Sequence, residues 1–221
     1  MLQKDTVKFL TNLKKNNSKE WFDTNRKVYE IAKKDFIELV TEVIHEFGKK
    51  EESIGLLQAK DCIFRINRDV RFSKDKSPYK TNMGASFSKG GKKTMLAGYY
   101  FHLEPGNSFV GGGIYMPDAE IVKKIRQEID YSFDEFNKLV KSKKFVSEYG
   151  GITINNEMSL TREPKGYDKD NPAIEFIKLK SWVATHPLTD DMLNSKDLVK
   201  NVVKAFDALQ PLINFLNSAI E

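Results

Sequence analysis

The chain has 221 residues, a formal net charge of +5, and 40% hydrophobic and 30% charged residues. This composition suits a globular protein and excludes a disordered chain. There is no apolar run near the roughly 18 residues of a membrane span and no apolar leader. With a single cysteine, Cys62, an internal disulfide framework is excluded. A soluble cytoplasmic protein with no membrane partner is the expectation.

Val7, Leu10 and Leu13 predict a short amphipathic helix ending at Asn16-Asn17. Asn17-Ser18-Lys19-Glu20 then matches a capping box. Trp21, Phe22, Tyr29, Phe36, Ile37, Val40, Ile44 and Phe47 recur at mostly three- or four-residue steps, which predicts one long helix closed by Gly48. Between residues 61 and 116 the period changes to two. Cys62, Phe64 and Ile66 share one face of a predicted strand, and Arg65 and Asn67 the other. Residues 81–88, 94–104 and 108–116 complete a meander of about four strands, the last two joined by the turn Pro105-Gly106-Asn107.

Helix returns after Met116, with Pro117 suited to a first helical position. Predicted helices cover 119–131, 133–140 and a short stretch around Phe145. Residues 150–172 are polar and turn-rich, and 173–182 are expected to be partly helical. A C-terminal helix runs from about Ser195 to Ala219, which Pro211 should kink or split. The expected fold class is α+β: an antiparallel sheet of about four strands in the middle of the chain, flanked by N-terminal and C-terminal helices, in one domain over 1–221.

The positive charge is local. Residues 60–93 carry ten Lys/Arg and three Asp/Glu, a net +7, so the remainder carries −2. One basic surface is therefore expected in place of a diffuse affinity for anything acidic. Arg65, Arg68 and Arg71 step by threes, and they converge only if the strand ends near Asn67. Convergent arginines bind phosphate or carboxylate bidentately. Asp69 can hold an arginine in place or act as a base, and Asp75 and Lys76 repeat the pairing. Ser77-Pro78 sets a turn that returns Tyr79 and Lys80 to the same region. The alternative is that the arginines pair with Asp69 and Asp75 and only pin a loop.

On the predicted hairpin Tyr100, His102 and Glu104 share one face, with Tyr99, Phe101 and Leu103 on the other. An apolar face toward helices and a polar aromatic face outward would make a site floor. Gly111-Gly112-Gly113 marks a bulge, a bend, a close approach by a ligand or a tightly packed helix. A third feature, Arg162 to Pro172, is a folded loop whose Lys165, Tyr167 and Asp168 could face the basic segment; the alternative is an ordered surface loop whose Asp170 or Asn171 caps the next helix. Motifs for other chemistry are absent. No phosphate-binding glycine loop occurs. His45, His102 and His186 are far apart in sequence, so neither metal spacing nor a cofactor motif is present. Cys62 points to the apolar face, which disfavours a nucleophile role. Helix-turn-helix spacing is absent, but Phe72, Tyr79, Tyr99 and Tyr100 among basic residues could stack single-stranded bases.

Four ordered stretches, NNSKEWFDTNRKVYE, FRINRDVRFSKDKSPYKTNMGASF, GYYFHLEPGNSFVGGGIYMP and PKGYDKDNPA, resemble a family of uncharacterised bacterial and fungal proteins of about this length. It is catalogued as a domain of unknown function and recognised by its Arg-x-x-Arg-Asp-x-Arg-Phe segment. The resemblance covers essentially the whole chain and implies a single domain, but no activity, cofactor or catalytic residue. Relatives often have Asp-His-Pro in the last motif, where Asn171 stands here.

The functional expectation is an anion-binding protein that recognises a phosphate-bearing small molecule or nucleic acid through residues 64–80. Arg65, Arg68, Arg71, Lys76, Tyr79, Lys80, Tyr100, Lys165 and Tyr167 are its candidate ligand-binding residues. The first alternative is an enzyme acting on such a ligand, with Asp69, Tyr79 or His102 moving protons. The second is a structural or interaction module in which the arginines only pin the loop. Nothing in the sequence addresses oligomeric state.

Overall fold

In the computed structural model, which describes residues 1–221, α1 (Lys4–Lys15) turns Phe9, Leu10 and Leu13 inward and packs on α3 (Arg26–Gly48). No side chain of its own caps α1. Buried Asp35 of α3 replaces that cap, accepting from Gln3 N at 2.9 Å and Thr6 Oγ1 at 2.5 Å.

The predicted long helix is two helices. Ser18, not Asn17, is the N-cap of α2 (Lys19–Thr24), accepting from Trp21 N. The chain breaks at Asn25, whose φ of −99° and ψ of 14° leave the helical region. Its side-chain amide donates to Trp21 O at 2.9 Å, the local competition that makes Asn a poor interior helix residue. α4 (Glu52–Gly55) and α5 (Ala59–Cys62) follow.

The strand expected over 62–67 does not form. A capping box between Gln58 and Asp61 draws the preceding residues into α5, and only isolated bridges remain, Ile63 with Ala85 and Asn67 with Tyr79. Cys62 and Ile66 are buried as the alternation requires, but Phe64 is 37% exposed. The four strands are β1 (Met83–Phe87), β2 (Gly98–Leu103), β3 (Ser108–Ile114) and β4 (Trp182–Leu188), antiparallel in the order β1-β2-β3-β4. The missing strand is thus supplied from late in the chain, where Thr185, His186 and Pro187 hid the β pattern. The fold is α+β as expected.

After the hairpin come α6 (Ala119–Tyr131), α7 (Phe133–Val140), α8 (Lys143–Tyr149), α9 (Ile174–Ile177), α10 (Asp190–Leu193) and α11 (Leu198–Ile220). Asp118, not Pro117, marks the start of α6 as its N-cap. The C-terminal helix runs through Pro211 unbroken. Leu209, Leu212, Ile213 and Leu216 on either side of it are buried, and their packing holds the helix across the hydrogen bond that proline removes. No helix is long and apolar enough to cross a membrane.

The chain divides into two compact units. The first comprises Met1–Lys93, Tyr100–Val110 and Pro187–Lys204, and the second Thr94–Tyr99, Gly111–His186 and Ala205–Glu221. In the first, α3 covers the apolar side of β2, with Phe36 6.1 Å from Phe101. In the second, Phe136 lies between Phe176 and Phe215, at 5.0 and 5.2 Å. Fully buried Trp182 donates its Nε1 hydrogen to Phe176 O at 3.0 Å. The glycine run is explained here: a Cβ on Gly112 would collide with Gly98 O and sit 2.6 Å from Leu209 Cδ2 of α11. A helix packs on that strand, and only glycine leaves room for it. Gly112→Ala should therefore lower stability by about 1–3 kcal/mol through overpacking; a urea midpoint equal to wild type would contradict this packing.

Candidate functional site

Within the first unit, residues 66–80 form a closed arm. Arg68 N donates to Pro78 O and Lys80 N to Ile66 O, at 3.0 and 2.8 Å, which pairs the two limbs at their base. Asn17 clasps that base from the α1–α2 junction, its amide donating to Tyr79 O at 2.9 Å and its carbonyl accepting from Tyr79 N at 3.1 Å. The Tyr79 ring is buried and stacks on Phe22 with centroids 3.9 Å apart. Tyr79 is thus turned into the core and contacts Phe22 rather than the basic surface.

Along the arm the charges meet one another. Arg68 Nη1 donates to Asp75 Oδ2 at 2.5 Å and Ser77 O at 3.0 Å, and Nη2 to Ser73 Oγ at 3.3 Å. Hydrogen bonds from the Ser77 hydroxyl and N–H, then from Arg68, hold Asp75 down at about 2. Arg71 forms a fork on Asp69, Nε to Oδ1 at 2.9 Å and Nη2 to Oδ2 at 2.6 Å, and this pairing lowers the Asp69 pKa. Lys76 Nζ donates to Val70 O at 3.0 Å. The loop-pinning description therefore fits Arg68, Arg71 and Lys76.

Arg65 and Lys80 differ. Neither makes an ion pair, and they are close enough that Arg65 helps to depress Lys80, whose pKa falls mainly through burial. The Lys80 ammonium lies 5.6 Å from the centre of the Phe64 ring, and Phe64 lies 6.3 Å from Tyr100 on β2. Tyr99, Phe101 and Leu103 of β2 are buried, whereas Tyr100, His102 and Glu104 are half-buried, as alternation predicts.

The half-buried row is a linked polar cluster. Tyr100 Oη lies 3.2 Å from His102 Nδ1, Asn82 Nδ2 lies 3.1 Å from the same nitrogen, and His102 Nε2 faces Glu104 Oε2 at 3.5 Å. Phe109 of β3 stacks on the imidazole at 4.7 Å. Gly84 makes the arrangement spatially allowed, since a Cβ there would strike the Tyr100 hydroxyl. Burial pushes Tyr100 up to about 12. His102 is lowered by burial, with Glu104 opposing. Burial would raise Glu104, but its bonds from Asn107 and His102 and the charge of Lys14 outweigh it. With Nε2–H toward Glu104, Nδ1 has one lone pair for two donors, Asn82 and Tyr100. One hydrogen is left for an external acceptor.

Lys165 and Tyr167 belong to the second unit. Lys165 is exposed. Tyr167 sits within electrostatic reach of Arg126 on α6, whose guanidinium donates to Leu179 O at 3.1 Å and is half-buried without an ion pair. Asn171 is engaged structurally, its amide donating to Asp130 Oδ1 at 2.6 Å and its carbonyl accepting from Ala173 N at 2.8 Å. Sequence reasoning missed Asn82, Phe109, Gly84 and Arg126; the first three are identified only by strand pairing. No group of His, Cys, Asp and Glu side chains is arranged to hold a metal ion.

Two outcomes follow. Asn17→Ala removes both bonds of the clasp and should lower stability by about 1–3 kcal/mol in urea unfolding, while Asn17→Asp, which can accept but not donate, should lose part of that. Equal midpoints for all three proteins would exclude the clasp. His102 binds its proton less readily folded than unfolded, so its contribution favours the folded state at neutral pH. That contribution weakens as pH falls through the ordinary histidine range near 6.5 toward the lower folded value. His102→Asn should flatten the fall in melting temperature between neutral pH and about 5; an unchanged slope would refute the shift.

A family model described as conserved hypothetical protein (DUF2461) matches residues 5–215. Among curated proteins and among solved structures, nothing matches the chain.

Proposed function

The chain belongs to the DUF2461 family of conserved hypothetical proteins, and because that description carries no chemistry we propose a function from the site itself: recognition of a phosphate-bearing ligand at Arg65 and Lys80. One observation supports the reading above others. Among the arginines of the basic segment, Arg68 and Arg71 are taken up by Asp75 and Asp69, while Arg65 and Lys80 repel each other without an ion pair of their own, the one carboxylate within reach of Arg65 being the Asp69 that Arg71 holds. An anion bridging the two would relieve that repulsion and offset the burial that lowers Lys80, and charge-assisted hydrogen bonds contribute about 1.5–3 kcal/mol each. The surplus donor at Asn82 and Tyr100 favours an acceptor-rich group such as phosphate. Phe64 and Phe109 add apolar surface for the rest of a ligand.

Acid–base chemistry on the bound ligand is a second reading, favoured by the Tyr100–His102–Glu104 contacts. A neutral imidazole beside a protonated phenol can accept a proton while Glu104 stabilises the imidazolium. Asp69, locked on Arg71, and Tyr79, stacked in the core, offer less to that chemistry. We also place the protein in the cytoplasm, in keeping with its one cysteine, whose thiol burial raises to about 11.

Inorganic phosphate, AMP and a phosphosugar should each raise the wild-type melting temperature. The double variant Arg65→Ala/Lys80→Ala should lose that rise, while Arg71→Ala keeps it. Stabilisation that persists in the double variant would overturn the reading.

A further inference from the structure

At the far end of the arm, Phe72 is 96% exposed. It is the third residue of a turn closed by Ser73 N donating to Val70 O at 3.3 Å. The backbone around it is tied on every side. Lys76 Nζ holds the carbonyls of Val70 and Arg71 at 3.0 and 3.5 Å, Arg71 N–H reaches Asp69 Oδ1 at 3.3 Å, and Arg68 holds the Ser73 hydroxyl. The ring is thus presented by a stapled turn and not by a loose loop. A phenyl held outward in water by a stapled turn keeps its apolar face available, and a partner stacked on it would recover the burial it forgoes.

The surroundings specify its chemistry. The Arg71 guanidinium lies 5.8 Å from the ring centre on one side, and Lys74 is exposed with no bonded partner. Both acidic side chains of the arm, Asp69 and Asp75, are already engaged. A flat apolar surface with a cation over one face and the other face open, on a basic stem, matches a base joined to phosphates: the open face takes the base and the cations take the backbone. One ring among polar neighbours offers too little apolar surface to seat a protein or to anchor in lipid, both of which need larger patches.

We infer that the phosphate-bearing ligand is a single strand of nucleic acid, with Phe72 stacking on a base and Arg65 and Lys80 binding phosphate. The inference rests on the anion reading for Arg65 and Lys80 and adds the polymer and the arm. It assigns Phe72 a role that phosphate alone would not require.

The test is fluorescence anisotropy of labelled oligothymidylate and oligouridylate with the full chain, beside thermal shifts with inorganic phosphate. Wild type should bind the single strands with an affinity that falls steeply with salt. Phe72→Ala should weaken that binding roughly tenfold and leave the phosphate shift intact, and Phe72→Trp should keep affinity with its emission quenched on binding. Equal affinity of Phe72→Ala and wild type overturns the inference. Phosphate shifts without single-strand binding also overturn it, and leave the anion reading standing. Loss of both in wild type overturns both. Phe72-dependent binding to phosphatidylserine vesicles without single-strand binding assigns the arm to a membrane and overturns the inference.

Discussion

Asn17 and Tyr79 hold each other by two hydrogen bonds, an amide side chain standing in for the backbone of a strand neighbour. The stacking of Tyr79 on Phe22 closes the same joint from the apolar side. The basic arm of residues 66–80 is closed at this joint. It fixes where the arm begins, and so it fixes Lys80, the next residue, over Phe64. A side-chain amide offers one donor and one acceptor in a plane, which is what a β-bridge offers. Asn17 therefore completes by side chain the edge of Tyr79 that its bridge to Asn67 leaves open.

The economy of charge follows from that geometry. Within the arm each arginine has a carboxylate a few residues away, and short separation makes pairing nearly inevitable once the turn forms. Those pairs are exposed, so screening keeps their individual contributions small. Together they set the shape of the turn. Arg65 and Lys80 lie at the base, and Asp69, the carboxylate whose pKa Arg65 helps to lower, is already occupied by Arg71. The base of the arm therefore carries two cations without an ion pair, beside Phe64, which lies 6.3 Å from Tyr100 in the polar row of β2.

The second unit is held by different means. Its strand pairing is brought so close that side chains are excluded: Cβ atoms on Gly111 or Gly113 would collide with Ala184 O and Trp182 O. Gly113, with φ of +119°, has a conformation that residues with a Cβ rarely adopt. The glycine run that could have marked a ligand site is a packing device. Asn171 serves the same end, its amide tying the loop to Asp130 and its carbonyl to the start of α9, so one side chain satisfies two partners at once.

Much of the fold was legible along the chain, because helical and strand periodicity are local consequences of which residues must face a core. The sequence determined the amphipathic faces of α1, α3 and α6, the alternation along β2 that sets Tyr100, His102 and Glu104 apart from Tyr99, Phe101 and Leu103, and the gathering of positive charge between residues 60 and 93. Only the tertiary structure decided what the pattern could not carry. The sheet's fourth strand came from Trp182–Leu188, a pairing across some seventy residues that no local signal encodes. Which arginines are spoken for, why Tyr79 faces inward while Phe72 faces out, and how Gly84 makes room for the Tyr100 hydroxyl all depend on distances between residues remote in sequence. Composition fixes how much charge a segment has; only folding fixes which of those charges meets a partner.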